Sequence, residues 1–365
     1  MGLISVLTIA GGRDYSLAGP EVRCAVERGL TTGHWYKTPV PRKRLKELMQ
    51  RSDWPALRDT MIWLGLLAGS AVGGIHYWGS WTAVPFFLVY GIMYGAAADS
   101  RLHECSHRTA FRTSWLNDAV YYLACFMMMR GPTPNRWSHT RHHTYTGVVG
   151  FDPEISAKRP PQLIILALDF FGLVAIPRQI ATFARHSFGR LTAEERAYVP
   201  AAEIPRMIWE DRMTLLVYIG MAVACVAERS ILPAMLIGLP RGYGRPLLML
   251  LGLTQHLALD EDVLDYRLNS RTVYMNRVFR FIYWEMNYHV EHHMYPLVPY
   301  YALAALHEEV RHDCPPANTS VLDAWCEILP AVLRQVRDYN YFVVKKLPPG
   351  AGVATLAVPR PTVAT

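Results

Sequence analysis

The chain has 365 residues, 51% of them hydrophobic and 18% charged, with a formal net charge of +7. A mean hydropathy of +0.09 is too polar for a protein made only of spans and too apolar for an ordinary soluble enzyme of this length. A membrane protein with a large extramembrane face is expected, and the arginines beside its apolar segments suit anionic lipid or an acidic partner, with no nucleic-acid partner expected.

In chain order, residues 1–12 are mildly apolar but lack a basic start and a small-residue cleavage site, so they make a poor signal peptide. Val6 breaks the myristoylation pattern. Residues 1–55 are polar and basic, with Lys37, Arg42, Lys43, Arg44, Lys46 and Arg51 before the first apolar stretch, and are expected to form a cytosolic segment. Stretches 61–78 and 83–98 are each near spanning length and are joined by the uncharged Gly79, Ser80 and Trp81, as in a hairpin that crosses and returns.

The arginine-rich region 101–212 then lies on the side of the amino terminus. Its apolar runs, 119–129 and 163–176, are expected to be interfacial or buried helices, because the first is too short to cross and the second contains Asp169. A second hairpin is expected over 213–227 and 231–257, its later half interrupted between Pro240 and Pro246. The expected fold is therefore an all-α integral membrane protein with about four transmembrane helices in two hairpins and a cytoplasmic helical cap. The catalytic domain is placed at 56–346 and a disordered tail, rich in Pro, Gly, Ala, Val and Thr, at 347–365. The six cysteines form no CxxC pair and no disulfide framework, so a reducing compartment is expected.

Nine of the fourteen histidines fall into sets: His103 with His107; His139, His142 and His143; His289, His292 and His293; and His256 behind Gln255. Residues three and four apart share a helix face, so each of the three larger sets can aim imidazoles at one point. A catalytic zinc takes about three protein ligands; eight or nine histidines suit two metals. Nothing supplies thiolates for a soft site, and two open-sided, nitrogen-ligated irons suit the reduction of dioxygen. Carboxylates and an amide behind the rings, Glu104, Asp152, Asp260, Glu291 and Asn287, are expected to orient them and offset the metal charge. Solvated helix faces explain His307 and His312, and His34, His76 and His186 receive no role.

Taken alone, His103-Glu104-Cys105-Ser106-His107 is HExxH, the helix of zinc proteases in which the glutamate is general base, so an intramembrane zinc metalloprotease is the alternative. A metal carrier or sensor is a third possibility, disfavoured because its ligands would line a pathway. The two HxxHH sets have no use in a one-zinc enzyme.

Together, HxxxH and the two HxxHH sets resemble the membrane fatty acid desaturase and hydroxylase superfamily, with its three histidine boxes. The wording of 136–143 and 287–296 is similar to the bacterial branch that includes the rhizopine-catabolism oxygenase and the fatty acid decarboxylases that form terminal alkenes. The resemblance implies di-iron ligation by His103, His107, His139, His142, His143, His289, His292 and His293, with His256 as an additional ligand. It also implies an O2-dependent oxidase of a lipid or fatty-acyl C–H, acting by desaturation, hydroxylation or oxidative decarboxylation. Electrons would come from a ferredoxin, the Rieske type included, and its reductase, and the enzyme would sit in the bacterial inner membrane with its site facing the cytoplasm. The first box departs from the HxxxxH of many acyl-CoA desaturases, so regiochemistry and carrier do not transfer.

Overall fold

The computed structural model describes residues 12–155 and 157–352. The mildly apolar start up to residue 11, read as a poor signal peptide, and the tail from 353 onward lie outside the described residues. Among these residues, helices and turns carry the fold, with three isolated β-bridges and no strand.

Two long helices, Asp53–His76 and the continuous Ala83–Ser106, pack antiparallel through a short turn. Gly73 and Gly74 allow this, since a Cβ on Gly73 would meet the Phe86 ring at 2.2 Å. Ala83–Ser106 is the one helix among the described residues long and apolar enough by itself to cross a membrane. Its turn over Met93–Ala97 is π-helical, a local widening that frees carbonyls and is common near functional sites. The Met93 carbonyl accepts from Trp63 Nε1 at 2.8 Å, and that of Ala97 from Arg101 Nη1 at 2.8 Å.

Arg101 is fully buried, donates also to the Ile282 carbonyl at 3.1 Å, and lies over the rings of Trp63 and Trp284. It ties the histidine-bearing end of this helix to the 281–284 turn. Desolvation of the guanidinium is offset by carbonyls and aromatic faces.

Expected run 119–129 becomes the helix Ser114–Met127, packed along Ala98–Ser106 with Tyr121, Ala124 and Cys125 buried. Run 163–176 is broken into Leu163–Asp169 and the start of Ala175–Ser187, and Asp169 is paired with Arg245.

The second hairpin differs from expectation. Its first limb is one helix, Ile204–Ala227, but 231–257 is three short helices, Leu232–Leu236, Pro240–Tyr243 and Arg245–Gly252. Pro233, Pro240 and Pro246 each remove a donor and restart the helix, and Gly238 takes φ +91° between the first two.

The described basic segment lies against residues 261–266: Trp35 stacks on Tyr266 at 4.4 Å, and Arg13 pairs with Glu261 and Asp262 as well as with Glu21. At the other end, the amide of Gly352 donates to Asp313 at 2.9 Å.

Candidate metal centre

The nine histidines converge from four stretches of chain. His103 and His107 end the Ala98–Ser106 helix, the second set lies on Pro132–Thr144, His256 follows Arg245–Gly252, and the last set lies on His289–Met294. They form two groups, each with ligand atoms within 4.8 Å of one another: His103, His107, His139, His143 and His292; and His142, His256, His289 and His293. No member of the nine is left over.

The two HxxHH sets do not aim at one point each, as the spacing suggested. Successive residues on a helix are about 100° apart, so i+4 lies about 40° to one side of i and i+3 about 60° to the other. His139 and His143 therefore face the first group while His142 turns to the second. The last set does the converse, giving His289 and His293 to the second group and His292 to the first. Each five-residue box thus stitches both groups together, which explains a third histidine that a single metal would not need.

The hydrogen-bond chemistry is that of a cation site. A carboxylate or carbonyl oxygen only accepts, so the ring nitrogen facing it carries the proton. On that ground Nδ1 is protonated in His139, facing Glu154 at 3.0 Å, in His142, facing Asp152 at 2.9 Å, and in His256, facing the Asn269 carbonyl at 2.8 Å. Thr146 spends its hydroxyl proton on the His142 carbonyl, so its oxygen accepts from His293 Nδ1 at 3.1 Å. Four rings are left with bare Nε2 lone pairs pointing inward.

Three of those lone pairs meet further Nε2 atoms at close range. His289 Nε2 lies 2.8 Å from His256 Nε2 and 3.0 Å from His293 Nε2, and His139 Nε2 lies 3.0 Å from His107 Nε2 and 3.1 Å from His143 Nε2. One imidazole nitrogen makes one hydrogen bond, by its proton or its lone pair, and cannot serve two neighbours. Two nitrogens each about 2.1 Å from a shared ion, at right angles, lie roughly 3 Å apart. The residues therefore fit a metal ion in each group.

Burial, with repulsion from the other rings, holds His289, His292 and His293 well below the ordinary imidazole value, and burial takes His256 to about 3. They are neutral, as ligands must be. Burial pulls His142 the same way, but Asp152 outweighs it and leaves His142 raised.

The residues expected behind the rings divide. Asp152 holds His142 and also accepts from the Gly147 amide. Asp260 accepts from the Glu261 amide and lines, with His142 and His256, a recess that opens on the second group. Glu104 instead accepts from Thr109 and from the Tyr300 amide, with no bond to a ring of the two groups. Glu291 is bound to Thr272 and to His307, and the Asn287 side-chain amide donates to the Val273 carbonyl.

His307 is a correction. It is 4% exposed, its Nδ1 lies 2.5 Å from Glu291 and its Nε2 lies 2.9 Å from the Tyr274 hydroxyl, so a solvated helix face does not describe it. His186 is also buried, between Asp211 and Glu195. The groups that sequence reasoning singled out behind the rings did not include Glu154, Thr146 or the Asn269 carbonyl, none of which carries a spacing signal.

Comparison with known proteins agrees with this architecture. Residues 79–325 match the fatty acid desaturase family, and the chain belongs to it. It is similar to the acyl-lipid 8-desaturase of Rebecca salina, 22% identical over 331 residues, covering 82% of this chain and 69% of that one. It is also similar to the sn-1 acyl-lipid omega-3 desaturase (ferredoxin) of Nostoc sp. (strain 36), 30% identical over 117 residues, covering 32% of this chain and 31% of that one. The protein is an oxidoreductase of fatty acid metabolism.

Proposed function

We propose that the chain is an integral membrane di-iron oxidase that uses O2 to oxidise an aliphatic C–H of a lipid or fatty-acyl substrate. Desaturation is the primary outcome; hydroxylation and oxidative decarboxylation to a terminal alkene are alternative fates of the same activated substrate. The observation that carries this is the partition of nine imidazoles into five and four, with neighbouring Nε2 atoms in each group about 3 Å apart. Two irons bound there supply reductive activation of dioxygen and hydrogen-atom removal from carbon.

The chain's own residues do the rest. Glu154, Asp152, the Asn269 carbonyl and Thr146 fix ring tautomers and orientation. His139, His142, His289, His292 and His293 are buried, which keeps bulk water away from a reactive site. The names of both similar proteins point to an acyl-lipid substrate, and that of the second to a ferredoxin donor. Ferredoxins are acidic, and the arginine-rich cap suits one together with its reductase.

A multi-pass inner-membrane location with a cytoplasmic site is supported by apolar side chains left in the open. Met61, Leu66 and Val72 on Asp53–His76, and Leu216, Val223 and Val226 on Ile204–Ala227, are all exposed. Contiguous apolar surface of this kind marks a lipid or protein boundary. Membranes of cells expressing the chain with a ferredoxin system, analysed by mass spectrometry, should contain a new acyl product that depends on O2 and is absent for His139→Ala. Full product formation by His139→Ala would overturn the assignment.

The zinc-protease alternative needs Glu104 at the metal as base. Its Oε1 is engaged with Thr109 and the Tyr300 amide, its Oε2 makes no hydrogen bond to a ring of either group, and five imidazoles already occupy the group containing His103 and His107.

A further inference from the structure

Beside the imidazoles, separate stretches of chain gather charges where apolar packing alone would be expected. Arg241 is 4% exposed; its Nε donates to the Met128 carbonyl at 3.1 Å, and its Nη1 is buried with no hydrogen-bond partner. Arg245, one turn on, is satisfied differently, donating to both the carbonyl and the carboxylate of Asp169. Met129 adopts φ +52°, which turns the chain so that Met128 presents its carbonyl to Arg241 and Arg130 projects as an exposed side chain. Asp99 lies one helical turn before His103, within electrostatic reach of Arg130, Arg241, Arg245 and Glu154, and Glu154 holds His139. The cluster therefore adjoins the metal centre.

With Arg245 matched by Asp169, two guanidiniums face one further aspartate. A buried guanidinium with a free N–H edge is costly unless an anion completes it, and its planar donors match the paired oxygens of a carboxylate or phosphate. We infer that Arg241, with the exposed Arg130 near it, binds the anionic head group of a single-chain lipid substrate whose acyl chain runs past the imidazoles. The inference rests on the oxidase reading above and adds to it the chemistry of the substrate's polar end.

Equilibrium binding to the purified, iron-loaded full chain in neutral detergent tests this with dodecanoate, dodecyl phosphate and methyl dodecanoate. At least one anion should bind about tenfold or more tighter than the ester, and the tighter of the two identifies the head group as carboxylate or phosphate. Arg241→Gln should erase that preference while leaving ester affinity and iron content unchanged, and Arg241→Lys should keep part of it. Arg130→Gln, at an exposed position that tolerates substitution, should reduce the preference without affecting folding. Equal binding of ester and anions by the unmodified chain, or an undiminished preference in iron-replete Arg241→Gln, would overturn the inference. Anion preference in a protein that takes up no iron would instead count against the oxidase reading and leave this site standing.

Discussion

At the scale of single residues, the account separates side chains that hold the imidazoles from those that merely neighbour them. Asp152→Asn and Glu154→Gln each exchange the charged acceptor that fixes a ring for a neutral amide with one acceptor oxygen fewer, and each should weaken iron retention by about 10- to 100-fold in chelator competition, with little change in fold. Glu104→Gln keeps an oxygen for Thr109 and the Tyr300 amide, so iron content and most activity should survive. Loss of all activity with metal retained would restore Glu104 as a base. Histidine identity was legible because HxxHH, twice, is a ligand pattern. The sharing of each box between two groups was not, because it depends on how the Pro132–Thr144 and His289–Met294 helices face each other. Nor was the burial of His307, whose charged neighbours in sequence, Glu308 and Glu309, point elsewhere.

At the scale of elements, two junctions set the site. The Ala83–Ser106 helix crosses Pro240–Tyr243 so closely that a Cβ on Gly244 would lie 1.8 Å from the Gly91 carbonyl oxygen, and one on Gly95 2.6 Å from that of Pro240. Gly244→Ala must push these backbones apart, at a cost of about 1–3 kcal/mol or more. Because the same helix carries His103, the variant should show both a lower melting temperature in detergent and weaker iron binding. His186 provides the second junction, joining Ala175–Ser187 to Ile204–Ala227 and to Glu195. Burial opposes its protonation, but hydrogen bonds and charge from Asp211 and Glu195 prevail and raise it from 6.5 to about 9. A raised value means the charged pair stabilises fully below about pH 6.5 and is lost as pH rises through about 9. Thermal midpoints should therefore fall between those pH values more steeply for the native chain than for His186→Gln. The long helices were legible from apolar length, and so was an interruption of the later limb, although it was expected between Pro240 and Pro246 and the wider gap lies at 237–239, before the short helix Pro240–Tyr243. What pattern could not reveal is that the proline-punctuated limb folds as three short helices, because the prolines mark the restarts but packing, of the first piece on Ile204–Ala227 and of the other two on Ala83–Ser106, decides that each piece stays helical.

At the scale of the whole molecule, the arrangement predicts orientation as well as chemistry. Cys24 and Cys326 are exposed and, in the proposed topology, cytoplasmic, whereas Cys225 is half-buried and Cys105, Cys125 and Cys314 are buried. A membrane-impermeant maleimide should spare both exposed thiols in intact spheroplasts and label both in inverted vesicles; labelling from outside would reverse the topology. All the ligands must share that face, because five of the nine nitrogens belong to one group and four to the other with no slack between them. Quantifying iron and zinc in the purified full-length protein tests this most directly. About two irons per chain are expected, falling well below two in both His139→Ala and His289→Ala. A single zinc per chain, undisturbed by His289→Ala, would contradict the paired-metal centre.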